Sequence, residues 1–412
     1  MKRYKRRPRE RAGRRPGAGE IGVRMGSMGP VGLRSAYSIG VNTSGAHVDE
    51  DVSLTLPALY AAVSTIAKDL STLPLTLKKR REDGYLEDAT DHPAYKLFRR
   101  SPDGGNTTPS AWRMSFLLHC LVWGNGYAEV IRDGFGVQAL ELRDPVEVVP
   151  YLDGTTLVYK HLGVDLPRSK LVHVRALSRE GIAGYSPVLL ARQALGLGLT
   201  GERFAGQYLS KGLQSSGFVH TPDNMAPEAR KQLANDIQQA ASGDGAFGLV
   251  VMPPGCRFEA ISTDPDKAQL LESRQYQVLE VARLFGVPPH KLMSFEHAAY
   301  STIEASNLEY ATATLGPWAT LIEEALNLRV LTEAEHLVDG YEFKHDFRPL
   351  MRGDSASRAS YWTAMHQMGV ACSNDIAIAE GFEPHPGGDV HWRPLNMTGD
   401  NHAEAANGDA TS

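Results

Sequence analysis

The chain has 412 residues, 42% of them hydrophobic and 22% charged, with a formal net charge of −5, a globular composition large enough for two or three packed units. No run approaches the ~18 apolar residues that would span a bilayer and no signal-peptide stretch opens the chain, so a protein made in the cytoplasm with no membrane partner is expected. Three cysteines, Cys120, Cys256 and Cys372, stand far apart without a CxxC, which argues against a disulfide framework or a thiolate metal site.

The charge is unevenly spread. Residues 1–15 hold nine of the 43 Lys and Arg and one of the 48 Asp and Glu, leaving the rest with 34 basic and 47 acidic residues, a net of −13. A protein that grips DNA uses a basic surface to release counterions from phosphates, and the body offers no such excess. Residues 1–48 are Arg-rich, then Gly-rich, with too little apolar content to order a core, and read as a disordered basic arm. Such an arm suits nucleic acid, an acidic neighbour, or no partner at all.

From "LTLPALYAAVSTIAKDLSTLPLTLKKR" the spacing predicts a helix with Leu59, Val63, Ile66 and Leu70 on one face and Pro57 near its start, followed by an alternating strand. A second helix over about 109–123, with Pro109 at its first position, leads into "GNGYAEVIRD" and then the strand-like runs "GVQALELR", "VEVVPYL", "TTLVYKH" and "KLVHVRAL". Turn signals between them predict an antiparallel α+β region over about 50–180.

A long helix is expected from Ser186, as N-cap, and Pro187 to about Lys211. Its interior carries Gly196, Gly198, Gly201 and Gly206, each costing about 0.8–1 kcal/mol against alanine, so close helix contact or a bend is implied. A smaller unit with strands and the helix "APEARKQLANDIQQA" fills 213–262. The next helix starts at Asp264 and Pro265 and runs to Phe285, with Leu271, Val278, Ala282 and Phe285 on one face. "LFGVPPHKLM" stops it at Gly286 and Pro288–Pro289. A third long helix follows from Ser301, with Glu304 at capping-box spacing and a bend at Gly316–Pro317. A strand over 341–347 and helices over 353–368 and 373–381, opened by Ser, Asp or Asn, complete the chain.

Catalytic signatures are missing. "GAGEIG" lies in the arm and "GLGLTG" inside a helix, so neither is a dinucleotide fingerprint, and "GQYLSKG" has the wrong order for a phosphate-binding Walker loop. There is no HExxH; pairs such as His290/His297 and His385/His391 lack ligand spacing. Asp264 and Asp266 fit a helix start, and no GxSxG elbow exists. No enzyme, cofactor or metal is expected.

Seven segments in order carry a family resemblance: "LYAAVSTIAKDLSTLPLTLKKR", "HPAYKLFRRSPDGGNT", "LLHCLVWGNGYAEVIRD", the stretch from "LVHVRALSREGIAGYSPVLL" to "LQSSGFV", "ISTDPDKAQLLESRQYQVLEVARLFGVPPHKLM", "YSTIEASNLEYATATLGPWATLIEEALN" and "FRPLMRGDSASRASYWTAMHQMGVACSNDIAIAEGFEP". Over about 50–395 the chain resembles the HK97-like portal proteins of tailed bacteriophages. The resemblance implies an α+β portal fold: wing 49–185, stem helices 186–212 and 264–285, clip 213–263, tunnel loop 286–302, a long wing helix and strand 303–350, a short crown 351–395 and a disordered tail 396–412.

The resemblance also implies a function. It points to a homo-oligomeric ring, usually of twelve subunits, at one capsid vertex of the virion, assembled in the host cytoplasm. Double-stranded DNA would pass through its channel without sequence specificity, in during packaging and out during ejection. Terminase, the major capsid protein and head-completion or adaptor proteins would be its partners. His290, Lys291, Met293, Glu296 and His297 would face the channel, Gly196, Gly198, Gly201 and Gly206 would let stem helices of neighbours approach, and Glu228, Arg230 and Lys231 would lie where terminase or adaptors dock. The arm before residue 48 is outside the shared pattern.

Overall fold

A computed structural model describes residues 42–134, 136–210, 217–222, 225–240, 254–260, 267–293, 306–350 and 355–391. Two compact units divide between His345 and Asp346. In the first, Asp49 caps the short helix α1 (Glu50–Ser53) and Pro57 opens α2 (Pro57–Thr72), whose Leu59, Val63, Ile66 and Leu70 are all buried as the spacing predicts. The chain then enters β1 (Leu75–Arg80), turns to β2 (Leu86–Asp88), and after α3 (Tyr95–Arg99) reaches α4 (Pro109–Trp123). Thr108 caps α4 by accepting from the Ala111 amide, and Gly124, with φ 74°, ends it. Trp112 stacks on Phe116 at 5.2 Å and donates its indole N–H to the Leu140 carbonyl at 2.8 Å, tying α4 to the sheet behind it.

All strand pairings among the described residues are antiparallel, as expected for 50–180. One sheet has β3 (Asn125–Asp133) between β4 (Gly136–Arg143) and β8 (Leu171–Arg175); a meander joins β5 (Val148–Asp153), β6 (Thr156–His161) and β7 (Val164–Pro167). In the third sheet β1 lies between β2 and β11 (Tyr341–His345), with Leu75 opposite His345 and Lys79 opposite Tyr341. The late strand therefore completes a sheet begun at residue 75.

The expected single helix from Ser186 is two pieces, α5 (Pro187–Leu190) and α6 (Arg192–Ser210), separated by Ala191 at φ −89°, ψ 9°. The first turn belongs to the core of the preceding α+β region: Ser186 Oγ accepts from the Leu189 amide and donates to the buried Val122 carbonyl at 2.8 Å, and Val188 is buried. The backbone bond from Leu195 to Ala191 persists, so this is a local unwinding. Strands β9 (Gly217–His220) and β10 (Arg257–Ala260) pair with each other, and α7 (Pro227–Ala240) lies between them in sequence. Helix α8 (Lys267–Phe285) buries Val281, Ala282 and Phe285; the caps expected at Asp264 and Ser301, with Glu304, lie outside the described residues.

In place of a simple bend at Gly316–Pro317, residues Tyr310–Leu315 wind as a π-helical turn that runs directly into α9 (Gly316–Arg329). Pro317 lacks an amide and its ring crowds the carbonyl four residues back; a wider turn before it relieves both. Thr332 and Glu335 form a capping box on α10 (Glu333–Leu337). In the second unit, α11 (Ser355–Gln367) and α12 (Ser373–Glu380) are joined by hydrogen bonding of Trp362 to Glu380 at 2.7 Å. Helix α12 opens on Ser373, Asn374 and Asp375 as expected, with Cys372 as its N-cap.

Candidate functional site

Where the α+β region hands over to α5 and α6, the chain makes a close crossing. Gly124 lies against residue 185 so tightly that a Cβ would overlap the Tyr185 carbonyl, and its own carbonyl accepts from the Ala176 amide at 2.9 Å. Beside it the buried Asn125 carboxamide is fully used. Its nitrogen donates to the Trp123 and Gly184 carbonyls at 3.1 and 2.9 Å; its oxygen accepts from the Gly184 amide at 2.7 Å and faces His173 Nε2 at 3.0 Å.

With the carboxamide so oriented, His173 Nε2 must donate, and its Nδ1 then accepts from the Tyr159 hydroxyl at 3.1 Å. Complete burial, followed by the charges of Arg175 and Arg329, holds the His173 pKa well below its usual 6.5, so the ring is neutral. The network fastens β3, β6 and β8 to the segment that launches α5.

At the far end of α8 the stop is as sharp as the sequence implies. Gly286 takes φ 66°, its carbonyl accepts from Thr314 Oγ1 at 2.6 Å, and the Val287 amide bonds back to Ala282. The prolines lead into a 3-10 turn, Pro289–Leu292, closed by Met293 at φ 62°. Lys291 Nζ sits 3.2 Å from Asp69 Oδ2 on α2 and 4.6 Å from the centre of the Tyr310 ring. Burial and then the Asp69 charge push the Tyr310 phenol above its usual range.

Each residue singled out from sequence now has a place. Lys291 and His290 are half-buried, His290 facing Asn307 at 3.3 Å, whereas Met293 is 79% exposed. Lys291 is thus engaged at the root of the turn. Glu296 and His297 lie outside the described residues.

The four glycines divide into two pairs. A Cβ at Gly196 would overlap the Asn42 carboxamide, and one at Gly198 the Gln277 carboxamide of α8; Gly201 and Gly206 face open space. The first pair therefore serves contacts inside the subunit. Asn42 Nδ2 donates to the Arg192 carbonyl, and Thr43 bonds to Gln193 through both amide and hydroxyl. Residues 42–48 are accordingly packed, correcting the expectation that the loose arm extends to 48; residues 1–41 lie outside the described set.

Glu228, Arg230 and Lys231 are all exposed on α7, with Arg230 reaching the Pro222 carbonyl at 3.4 Å. Sequence reasoning missed Asp69, Tyr310, Asn42 and Gln277. Each is an ordinary polar or aromatic residue within an element, and only its distant partner marks it. Ala191, Ala194, Leu195, Gln277 and Val281 line a cavity of about 320 Å³ between α6 and α8.

Leu197 and Phe204, seven residues apart on α6, are exposed, Leu197 by 66%, as is Leu190 at the end of α5.

Residues 57–381 match the family described as phage portal protein. The portal protein of Enterobacteria phage HK97 is 27% identical over 376 residues, covering 88% of this chain and 88% of the relative. The probable portal protein of Streptomyces phage phiC31 is 26% identical over 389 residues, 88% of this chain and 83% of the relative. Among solved structures, an HK97 family phage portal protein from Corynebacterium diphtheriae aligns with TM-score 0.56 and 18% identity, over 73% of this chain and 95% of that one. A chain from the neck of a native gene transfer agent particle, computed with C12 symmetry, aligns with TM-score 0.53 and 18% identity, over 87% and 95%. The fold is that of the HK97-like portal structures.

Proposed function

The chain belongs to the phage portal protein family, and we propose that it assembles into a ring of twelve at one vertex of a capsid, forming the channel through which double-stranded DNA enters and leaves. The observation that carries this reading is the family match across the wing, both long helices, the turn after α8 and the π-interrupted helix. Related necks were computed with sixfold and with twelvefold symmetry, and twelve copies satisfy both.

In this reading α5–α6 and α8 are the stem, β9, α7 and β10 belong to the clip, and residues 286–302 form the tunnel loop. A closed ring needs head-to-tail contacts between unlike faces. The seven-residue spacing of the exposed Leu197 and Phe204 on α6 is that of a helix-packing seam, and the open Gly201 and Gly206 would let a neighbour's helix come close. Met293, Glu296 and His297 would reach the channel, with Lys291 and His290 holding the loop's root. Glu228, Arg230 and Lys231 would meet terminase or adaptors, and the wing the major capsid protein. The reading is of a structural assembly, located in the virion, rather than of an enzyme.

Electron microscopy of the purified protein tests it. Closed rings with a central hole of at least about 20 Å, wide enough for duplex DNA, are expected. A monomer or dimer at all salt and protein concentrations would refute the ring.

A further inference from the structure

In the second unit the chain beyond α12 returns a histidine to the helix start. Cys372, Asp375 and His391 each offer one ligand atom, and these atoms lie within 4.8 Å of one another. The capping box accounts for the first two: the Asp375 amide donates to Cys372 Sγ at 3.4 Å and the Cys372 amide to Asp375 Oδ2 at 2.9 Å. It leaves the other carboxylate oxygen unassigned, and it does not explain His391.

That ring is held separately. His391 Nδ1 lies 3.2 Å from the Gly369 carbonyl, an acceptor only, so Nδ1 donates and Nε2 is the nitrogen left for a ligand. A backbone carbonyl on one imidazole nitrogen is the usual outer-shell arrangement that leaves the other nitrogen for a metal.

We propose that Cys372, Asp375 and His391 bind a zinc ion, with water in the fourth position. Thiolate, imidazole and carboxylate together suit Zn²⁺, whereas Ca²⁺ and Mg²⁺ take all-oxygen sets. The thiol sits at the start of an eight-residue helix and accepts from the Asp375 amide, which fixes its sulfur beside the carboxylate.

Asp375 and His391 are exposed on the solvent side. Zinc bonds of about 2.0–2.3 Å in a tetrahedron place ligand atoms roughly 3.3–3.5 Å apart, so closure by about 1 Å completes the site. Ligation would clamp the segment carrying His391 onto α12. Separate expectations for His385/His391 and for isolated cysteines missed it because the three ligands share no contiguous motif. The inference is independent of ring formation.

Cobalt(II) titration of the reduced, full-length protein tests it, alongside Cys372→Ser and His391→Ala. Serine is a better N-cap than cysteine, so Cys372→Ser keeps the helix start. The expected result is a thiolate-to-cobalt charge-transfer band saturating at one ion per chain, displaced by zinc and lost in both variants. Absence of the band in the wild-type protein, or its survival in either variant, would overturn the proposal.

Discussion

Replacing Asn125 with aspartate keeps the side chain's shape and reverses half of its chemistry. The nitrogen that donates to the Trp123 and Gly184 carbonyls at 3.1 and 2.9 Å becomes a second acceptor oxygen facing two acceptors. Two hydrogen bonds are lost, each about 1 kcal/mol, and the buried carboxylate must protonate or stay desolvated. The sum is a destabilisation of about 3–5 kcal/mol.

Protonation restores one donor, so the penalty relative to wild type shrinks as pH falls. The loss should be local first. Hydrogen exchange at the Ala176 and Gly184 amides, which bond to Gly124 and Asn125, should accelerate on the order of a hundredfold or more. Thermal unfolding at several pH values gives the global effect. If Asn125→Asp stays within about 1 kcal/mol of wild type, or Gly184 exchange is unchanged, the account of this junction is wrong.

Three further outcomes are expected. His173 and His345 both have pKa values lowered by burial. The unfolded chain therefore binds more protons below about pH 6.5, and stability falls as pH drops through that value. Melting temperature between about pH 7.5 and 5.5 should show this, and a His173→Gln variant should show a shallower slope. Lys291→Met and Asp69→Asn should each cost about 1 kcal/mol, since the pair is only 23% and 28% exposed and the ammonium also faces Tyr310. The double variant should cost little more than either alone; fully additive melting shifts would show that the two do not interact. Gly198→Leu should destabilise the subunit by forcing Gln277 aside. Gly201→Leu should instead leave the subunit intact, or up to about 1 kcal/mol more stable, while lowering the ring fraction in native mass spectrometry.

Local signals were the legible ones. Pro57, Pro109 and Pro187 sit at helix starts, and Gly124 and Gly286 at helix ends, because backbone sterics act on neighbouring residues whatever the rest of the fold does. The α+β character and the antiparallel pairing followed from alternation between turn signals. Three features did not follow: the unwinding at Ala191, the π turn before Pro317, and the division of the four glycines of α6. The first and the last depend on partners far along the chain: Val122 for Ser186, Asn42 for Gly196, Gln277 for Gly198. Lys291 illustrates the same limit, since a lysine in a loop reads as solvated until Asp69 and Tyr310 are brought to it.

The pairing of β1 with β11 has a consequence for biosynthesis. Arg80 and Glu342, joined across these strands at 2.7 Å, are separated by 262 residues. At ribosomal rates of about 5–20 residues per second, β1 waits on the order of 13–52 s for the strand that covers its open edge. During that interval the nascent chain presents an unpaired strand edge beside an apolar helix. Newly made copies are therefore most vulnerable to wrong pairing with one another late in translation, and slower synthesis of the segment before residue 341 should lower the soluble yield.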